Sequence, residues 1–137
     1  MVPAQPDSEA DSFIDQVTGD SQQPVVMFAM EWCEFCWSVR KLFDRCAIQY
    51  QSVDIDSADY IPGEFGDRVR AALTARTGMI TIPQVFVAGD FVGGCTDVFD
   101  EFKAGRFQER LAAAGQPLAG ETELDPYTLL PGWLHPR

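Results

Sequence analysis

Cys33 and Cys36, inside Trp32-Cys33-Glu34-Phe35-Cys36, are the residues whose type and spacing most directly suggest chemistry in this chain of 137 residues. Two thiols three positions apart at the start of a helix can open and close a disulfide. The first would sit at the helix N-terminus, where unpaired backbone N–H groups and the positive end of the helix dipole stabilise a thiolate. The second lies one turn further in and can resolve a mixed disulfide formed by the first. Two inert core cysteines would fit the spacing but not the setting, because the pair follows an apolar run and opens a helical pattern. Cys46 and Cys95 stand apart, which is not the pattern of a secreted disulfide framework. Structural zinc would need a second close pair of ligands, and His135, alone in a Pro-rich stretch, is the single imidazole.

The elements that must position this pair can be read around it. Pro24-Val25-Val26-Met27-Phe28-Ala29 is continuously apolar and rich in β-branched residues, as a strand buried on both faces requires. After Cys33 the period becomes helical, with Phe35, Val39, Leu42, Phe43 and Cys46 on one face and Arg40, Lys41 and Arg45 on the other. Cys46 is therefore expected as a buried structural thiol. Residues 50–56 alternate as a second strand. A helix over residues 63–76, carrying Val69 and Leu73, is predicted to stop at Gly78. Gln84-Val85-Phe86-Val87 follows Pro83 as a strand, Ala88-Gly89-Asp90 turns the chain, and Phe91-Val92 pairs back before Gly93 and Gly94. The last helical region is expected over 97–114, broken near Gly105. A short first helix is expected around Ser12–Val17, ended by Gly19.

The expected fold is α/β: a four-stranded mixed sheet flanked by helices, parallel in its first half and a hairpin in its second, which is the thioredoxin-like order. Residues 1–23 read as an acidic extension with a short helix, 24–115 as the domain, and 116–137 as a tail punctuated by Pro117, Gly120, Pro126, Pro131, Gly132 and Pro136. Residues 125–133 carry enough apolar side chains to dock on this domain or on a partner, and the sequence does not choose between them.

A net charge of -11 argues against nucleic-acid or anionic-membrane binding, both of which need a basic face. No apolar run approaches the roughly 20 residues of a membrane span. The N-terminus lacks the basic start and apolar stretch of a signal peptide, so a cytoplasmic, reducing location is expected.

Three separated motifs give the chain a resemblance to the dithiol glutaredoxins over roughly residues 24–114: the Cys33–Cys36 pair, Thr81-Ile82-Pro83-Gln84-Val85-Phe86, and Gly93-Gly94-Cys95-Thr96-Asp97. The resemblance implies a glutathione-dependent thiol–disulfide oxidoreductase with Cys33 as attacking and Cys36 as resolving thiol, acting on glutathionylated or disulfide-containing proteins. It implies a cis Pro83, with the backbone of Ile82 pairing with the cysteinyl part of glutathione beside Thr81. It also implies that Gly94, Cys95, Thr96 and Asp97 hold the γ-glutamyl end. Cys95 is in addition a possible secondary redox or glutathionylation site. Trp32 and Trp37 are either core residues or an apolar rim for protein disulfides.

This chain departs from the family pattern at two places. Met30 stands where relatives carry a lysine that meets a glutathione carboxylate, and Arg70 is the candidate to supply that charge, with Arg68 and Arg76 weaker ones. Glu34 replaces the proline common between the cysteines. Without that ring, a second reading stays open, a carrier of a [2Fe–2S] cluster shared by two chains through Cys33 and two glutathiones; a monomer is expected otherwise. A third, an adaptor with a vestigial pair, is disfavoured by the intact motifs.

Glu31 and Glu34 both oppose a negative charge on the Cys33 sulfur, by roughly 1 kcal/mol at 4 Å in water and more where water is excluded. The thiolate is therefore expected to form less readily than in proline-bearing relatives. Glu34→Pro should speed alkylation of Cys33 at mildly acidic pH; an unchanged rate would remove Glu34 from the account.

Overall fold

The computed structural model describes residues 7–118, 120 and 123–131. His135 and the end of the apolar 125–133 segment lie outside them. The chain runs α1 (Ser8–Thr18), β1 (Val25–Ala29), α2 (Glu34–Arg45), β2 (Gln51–Asp54), α3 (Phe65–Thr77), β3 (Gln84–Val87), β4 (Asp90–Gly93), α4 (Cys95–Ala104) and α5 (Arg106–Ala113). The strands form one sheet in the order β2-β1-β3-β4. β1 is parallel to β2 and antiparallel to β3, and β3 and β4 are antiparallel. This is the expected mixed sheet.

Every residue of β1 is buried, as its unbroken apolar run requires. Val25, Met27 and Ala29 face a core shared with Val39 and Leu42 of α2, Phe99 of α4 and Phe107 of α5. Val26 and Phe28 face the opposite core, with Ile14 of α1 and Val69 and Leu73 of α3. The central strand thus has helices on both sides, and its C-terminal end delivers the chain directly to Cys33.

The observed boundaries differ from the expected ones for local reasons. α3 starts at Phe65 because Pro62 and Gly63, the latter at φ 66°, form a separate 3-10 turn. The hairpin turn is only Ala88-Gly89, both at positive φ as a two-residue turn between twisted strands demands, so Asp90 belongs to β4. α4 begins at Cys95 rather than Asp97, since the Asp97 carboxylate accepts the Gly94 N–H at 2.9 Å and closes the first turn two residues earlier. A β-carbon on Gly93 would run into that carboxylate. Residues 126–129, in the stretch expected as a tail able to dock on this domain or on a partner, form a 3-10 turn docked on α2 and α4, with Leu129 buried.

The acidic N-terminal segment has a specific counterpart. Asp7 caps α1 by accepting the Ala10 N–H at 3.0 Å and binds Arg68 of α3 at 2.6 Å. Arg68 also reaches Glu9 at 2.9 Å, while Arg76 meets Asp15 at 2.9 Å. Part of the chain's negative charge is thereby spent on clamping α1 to α3. The Arg68 guanidinium, followed by the Ala10 N–H, pulls the Asp7 carboxyl from 3.8 down to about 2. A depressed carboxyl contributes stability that is full above its unfolded value and lost as the pH falls through its folded one. Urea midpoints measured down the pH scale should show the wild type losing more stability between pH 4 and 2 than Asp7→Asn; parallel curves would dissolve this link.

Candidate active site

Cys33 occupies the N-cap position of α2, with extended backbone (φ -93°, ψ 120°) and no side-chain hydrogen bond to the first turn. A negative charge on the sulfur would lie at the positive end of the helix dipole. The loop from β1 is held from beneath. Met30 O accepts the Cys33 N–H at 3.4 Å and Arg40 Nη2 at 3.3 Å. The same Nη2 binds Asp54 at the end of β2 at 2.8 Å. The Glu31 N–H donates to Asp56 Oδ1 and the Trp37 indole N–H to Glu31 O, each at 2.9 Å. Arg40 therefore does not lie on the outer face with Lys41 and Arg45 as its periodicity suggested. Its side chain is only 19% exposed and ties the loop to the sheet.

On the opposite side of the sulfur runs the loop carrying the cis Ile82–Pro83 bond. The Cys33 thiol donates to Ile82 O at 3.7 Å. Buried Gln84 holds this loop: its Nε2 donates to Met79 O at 2.8 Å and to Thr81 O at 3.2 Å, and its Oε1 accepts from Thr77 Oγ1 at 3.2 Å. Gly94 abuts the loop, with Pro83 O 3.4 Å from where its β-carbon would be. The exposed Thr96 and Asp97 begin α4 beside it. Arg70 spans the far edge, donating to Met30 Sδ at 3.8 Å and to Ile80 O at 3.3 Å. Its guanidinium is thus placed against Met30. Arg68 and Arg76, both ion-paired to α1, serve that helix instead.

The two thiols of the pair are unequal. Cys33 is partly exposed and Cys36 fully buried. Burial first, and the neighbouring Cys33 sulfur with it, pushes the Cys36 thiol from 9.0 up to about 12, so it keeps its proton at neutral pH. Attack from outside falls to Cys33. Burial also raises Cys95 to about 12, and its side chain belongs to the main core, so only its backbone is offered at the start of α4. Cys46 is buried as expected, and Trp32 and Trp37 are exposed, on the rim rather than in the core.

This arrangement has close counterparts. A model of the Glutaredoxin family matches residues 25–92. Glutaredoxin of Ricinus communis is 33% identical over 95 residues, covering 69% of this chain and 88% of that protein. The chain belongs to the glutaredoxin family. The chloroplastic Glutaredoxin-C5 of Arabidopsis thaliana is 34% identical over 94 residues, covering 69% of this chain but 52% of that protein, so the chain spans about half its length. The crystal structure of the buckwheat glutaredoxin–glutathione complex superposes with a TM-score of 0.70 at 31% identity, covering 80% of this chain and 94% of that one. The thioredoxin-like fold is thereby established, and the role that glutaredoxins carry is thiol–disulfide oxidoreduction.

Arg40, Asp54, Asp56 and Gln84 support the site but were not singled out as functional from the sequence. Gln84 had one signal: an amide within an otherwise apolar strand must be satisfied internally. Gln84→Met keeps the volume but strips three hydrogen bonds, and should cost about 1–3 kcal/mol of stability and loosen the Ile82 loop. A thermal midpoint within a degree of wild type would show that the amide does not hold the loop.

Proposed function

We propose that this protein reduces glutathione mixed disulfides and protein disulfides with glutathione as electron donor, in a reducing compartment such as the cytosol. The observation that carries the reading is the placement of a partly exposed Cys33 at the N-cap of α2, 3.7 Å from Ile82 O, with the proton-bearing Cys36 beneath it. In the reaction, the Cys33 thiolate attacks the glutathione sulfur of a mixed disulfide. The old S–S bond breaks, the substrate leaves as a thiolate and takes up a proton, and Cys33 is left joined to glutathione. A second glutathione thiolate attacks that sulfur, releasing oxidised glutathione and restoring Cys33.

For a protein disulfide, Cys33 first forms a mixed disulfide with one substrate cysteine. Cys36 then gives up its proton and attacks the Cys33 sulfur, expelling the substrate thiolate and closing the Cys33–Cys36 disulfide. Two glutathiones reopen it.

Support for the glutathione pose is spread over the loops on either side of Cys33. The Ile82 backbone, between Thr81 and Pro83 and 3.7 Å from the Cys33 sulfur, would pair with the cysteinyl unit. At the other end, beyond Gly94, the first N–H groups of α4, from Cys95 to Asp97, suit the γ-glutamyl carboxylate. Asp97 Oδ1 is left to accept from the ammonium, since Oδ2 is engaged by the Gly94 N–H. The Arg70 guanidinium suits the glycine carboxylate in place of the absent lysine. Its neighbours there are a thioether and a carbonyl rather than an acid.

The deciding measurement is reduction of a small glutathione mixed disulfide, coupled to glutathione reductase. Cys33→Ser should fall to the uncatalysed background. Cys36→Ser should retain this activity while losing turnover of protein disulfides. Wild-type protein that is folded, reduced and inactive would overturn the reading in favour of the cluster carrier, which anaerobic reconstitution and visible absorbance would then reveal.

A further inference from the structure

One surface at the reacting sulfur is not used by the glutathione pose. An open groove of about 430 Å³ starts at Cys33 and follows α2, lined by Trp32, Trp37, Ser38 and Lys41 and bounded on its far side by Pro131. Ile82, Asp97 and Arg70 do not line it. The two indoles leave much apolar surface in water, Trp32 being 84% exposed and Trp37 51%. The turn that leads into Pro131 is anchored. Tyr127 donates its hydroxyl to Asp100, packs edge-on against Phe99 and lies under the Lys103 ammonium, while Leu129 enters the core.

We propose that this groove receives the polypeptide side of a substrate disulfide, holding an apolar residue near the cysteine against the two indoles and a carboxylate on Lys41. The inference rests on the disulfide-reducing reading and specifies the polypeptide it favours. Charge fixes the polarity of the occupant. Lys41 makes no ion pair or hydrogen bond among the described residues, in contrast to its neighbour Arg40, which is held by Asp54. Asp44, one helical turn on, is not within ion-pair distance of it, whereas Glu34 lines the end of the groove next to Cys33. An acidic side chain is therefore attracted at Lys41, although the chain as a whole is strongly negative.

The distance sets the spacing. Lys41 lies eight residues beyond Cys33, which is ~12 Å along the helix at 1.5 Å per residue. An extended strand at ~3.3 Å per residue covers that in about four residues. The favoured substrate is a cysteine with a leucine or aromatic residue within two positions and an acidic residue about four positions away.

Synthetic peptides glutathionylated on a single cysteine test this, with Leu or Gly two positions away and either Glu or Lys four positions away on both sides. Their kcat/KM is read with glutathione and glutathione reductase. The wild type should prefer the Glu peptide by about 2–5-fold, the range of an exposed ion pair, mostly through KM and less at high salt. Lys41→Glu should reverse the order, and Trp32→Ala should remove the gain from Leu over Gly. Each comparison is between two peptides on one variant, so a loss of folded protein cancels. Equal rates for the Glu and Lys peptides, or an unreversed preference in Lys41→Glu, would overturn the groove proposal alone. No turnover of any glutathionylated peptide by the wild type would overturn the disulfide-reducing reading and the groove with it.

Discussion

A helix needs something at its N-terminus to meet the first turn's free N–H groups, and in most helices a Ser, Thr, Asp or Asn oxygen does so. In α2 the residue at that position is Cys33, and its sulfur makes no capping hydrogen bond to the turn. The remainder of the site can be understood from this substitution of sulfur for oxygen. A capping oxygen would satisfy the helix and end the matter, whereas a sulfur leaves the N–H groups and dipole available to a charge that appears and disappears during exchange. Cys36, one turn deeper, is shielded by the same helix and the sheet below it, so one motif holds a partly exposed thiol and a buried thiol that keeps its proton.

That helix start must be held still, and the surrounding structure does so from two directions. From the β2 side, Asp54 and Asp56 reach the loop through Arg40 and the Glu31 N–H. From the β3 side, Gln84 secures the loop that brings Ile82 to the sulfur. Both anchors are polar groups at the edge of a hydrophobic interior, where an unmet partner is costly, and this makes them geometrically demanding. The Arg70 guanidinium, from α3, converges on Met30 and Ile80 at the far edge of the same site.

The chain's acidity looks different once folded. Asp7, Glu9, Asp11 and Asp15 are gathered opposite Arg68 and Arg76, and Glu101 opposite Arg110, so these carboxylates act within the molecule rather than as a diffuse repulsive shell. The C-terminal turn undergoes a similar change of meaning. Tyr127 and Leu129, isolated among prolines in the sequence, become a second wall beside α2 because α4 offers Asp100, Phe99 and Lys103 at matching positions.

What the sequence determined by itself was everything carried by local pattern. The apolar run of β1 could only be a strand covered on both faces, the helical period after Cys33 could only bury Val39, Leu42 and Phe43 together, and Gly78 and Gly105 stand where helices end. The spacing of the CxxC, the Thr81–Pro83 segment and the Gly93–Asp97 turn likewise announced a thiol site of this family. Tertiary structure alone decided which charged residues serve that site. Arg40 and Lys41 are adjacent and alike in sequence, yet one turns under the loop to Asp54 while the other stays in solvent beside the groove. Periodicity assigns a residue to a helix face, but the end of β2 that receives Arg40 is brought there by strand pairing, 14 residues away along the chain. Long flexible side chains choose their partners only after such contacts exist, and no short-range signal encodes them.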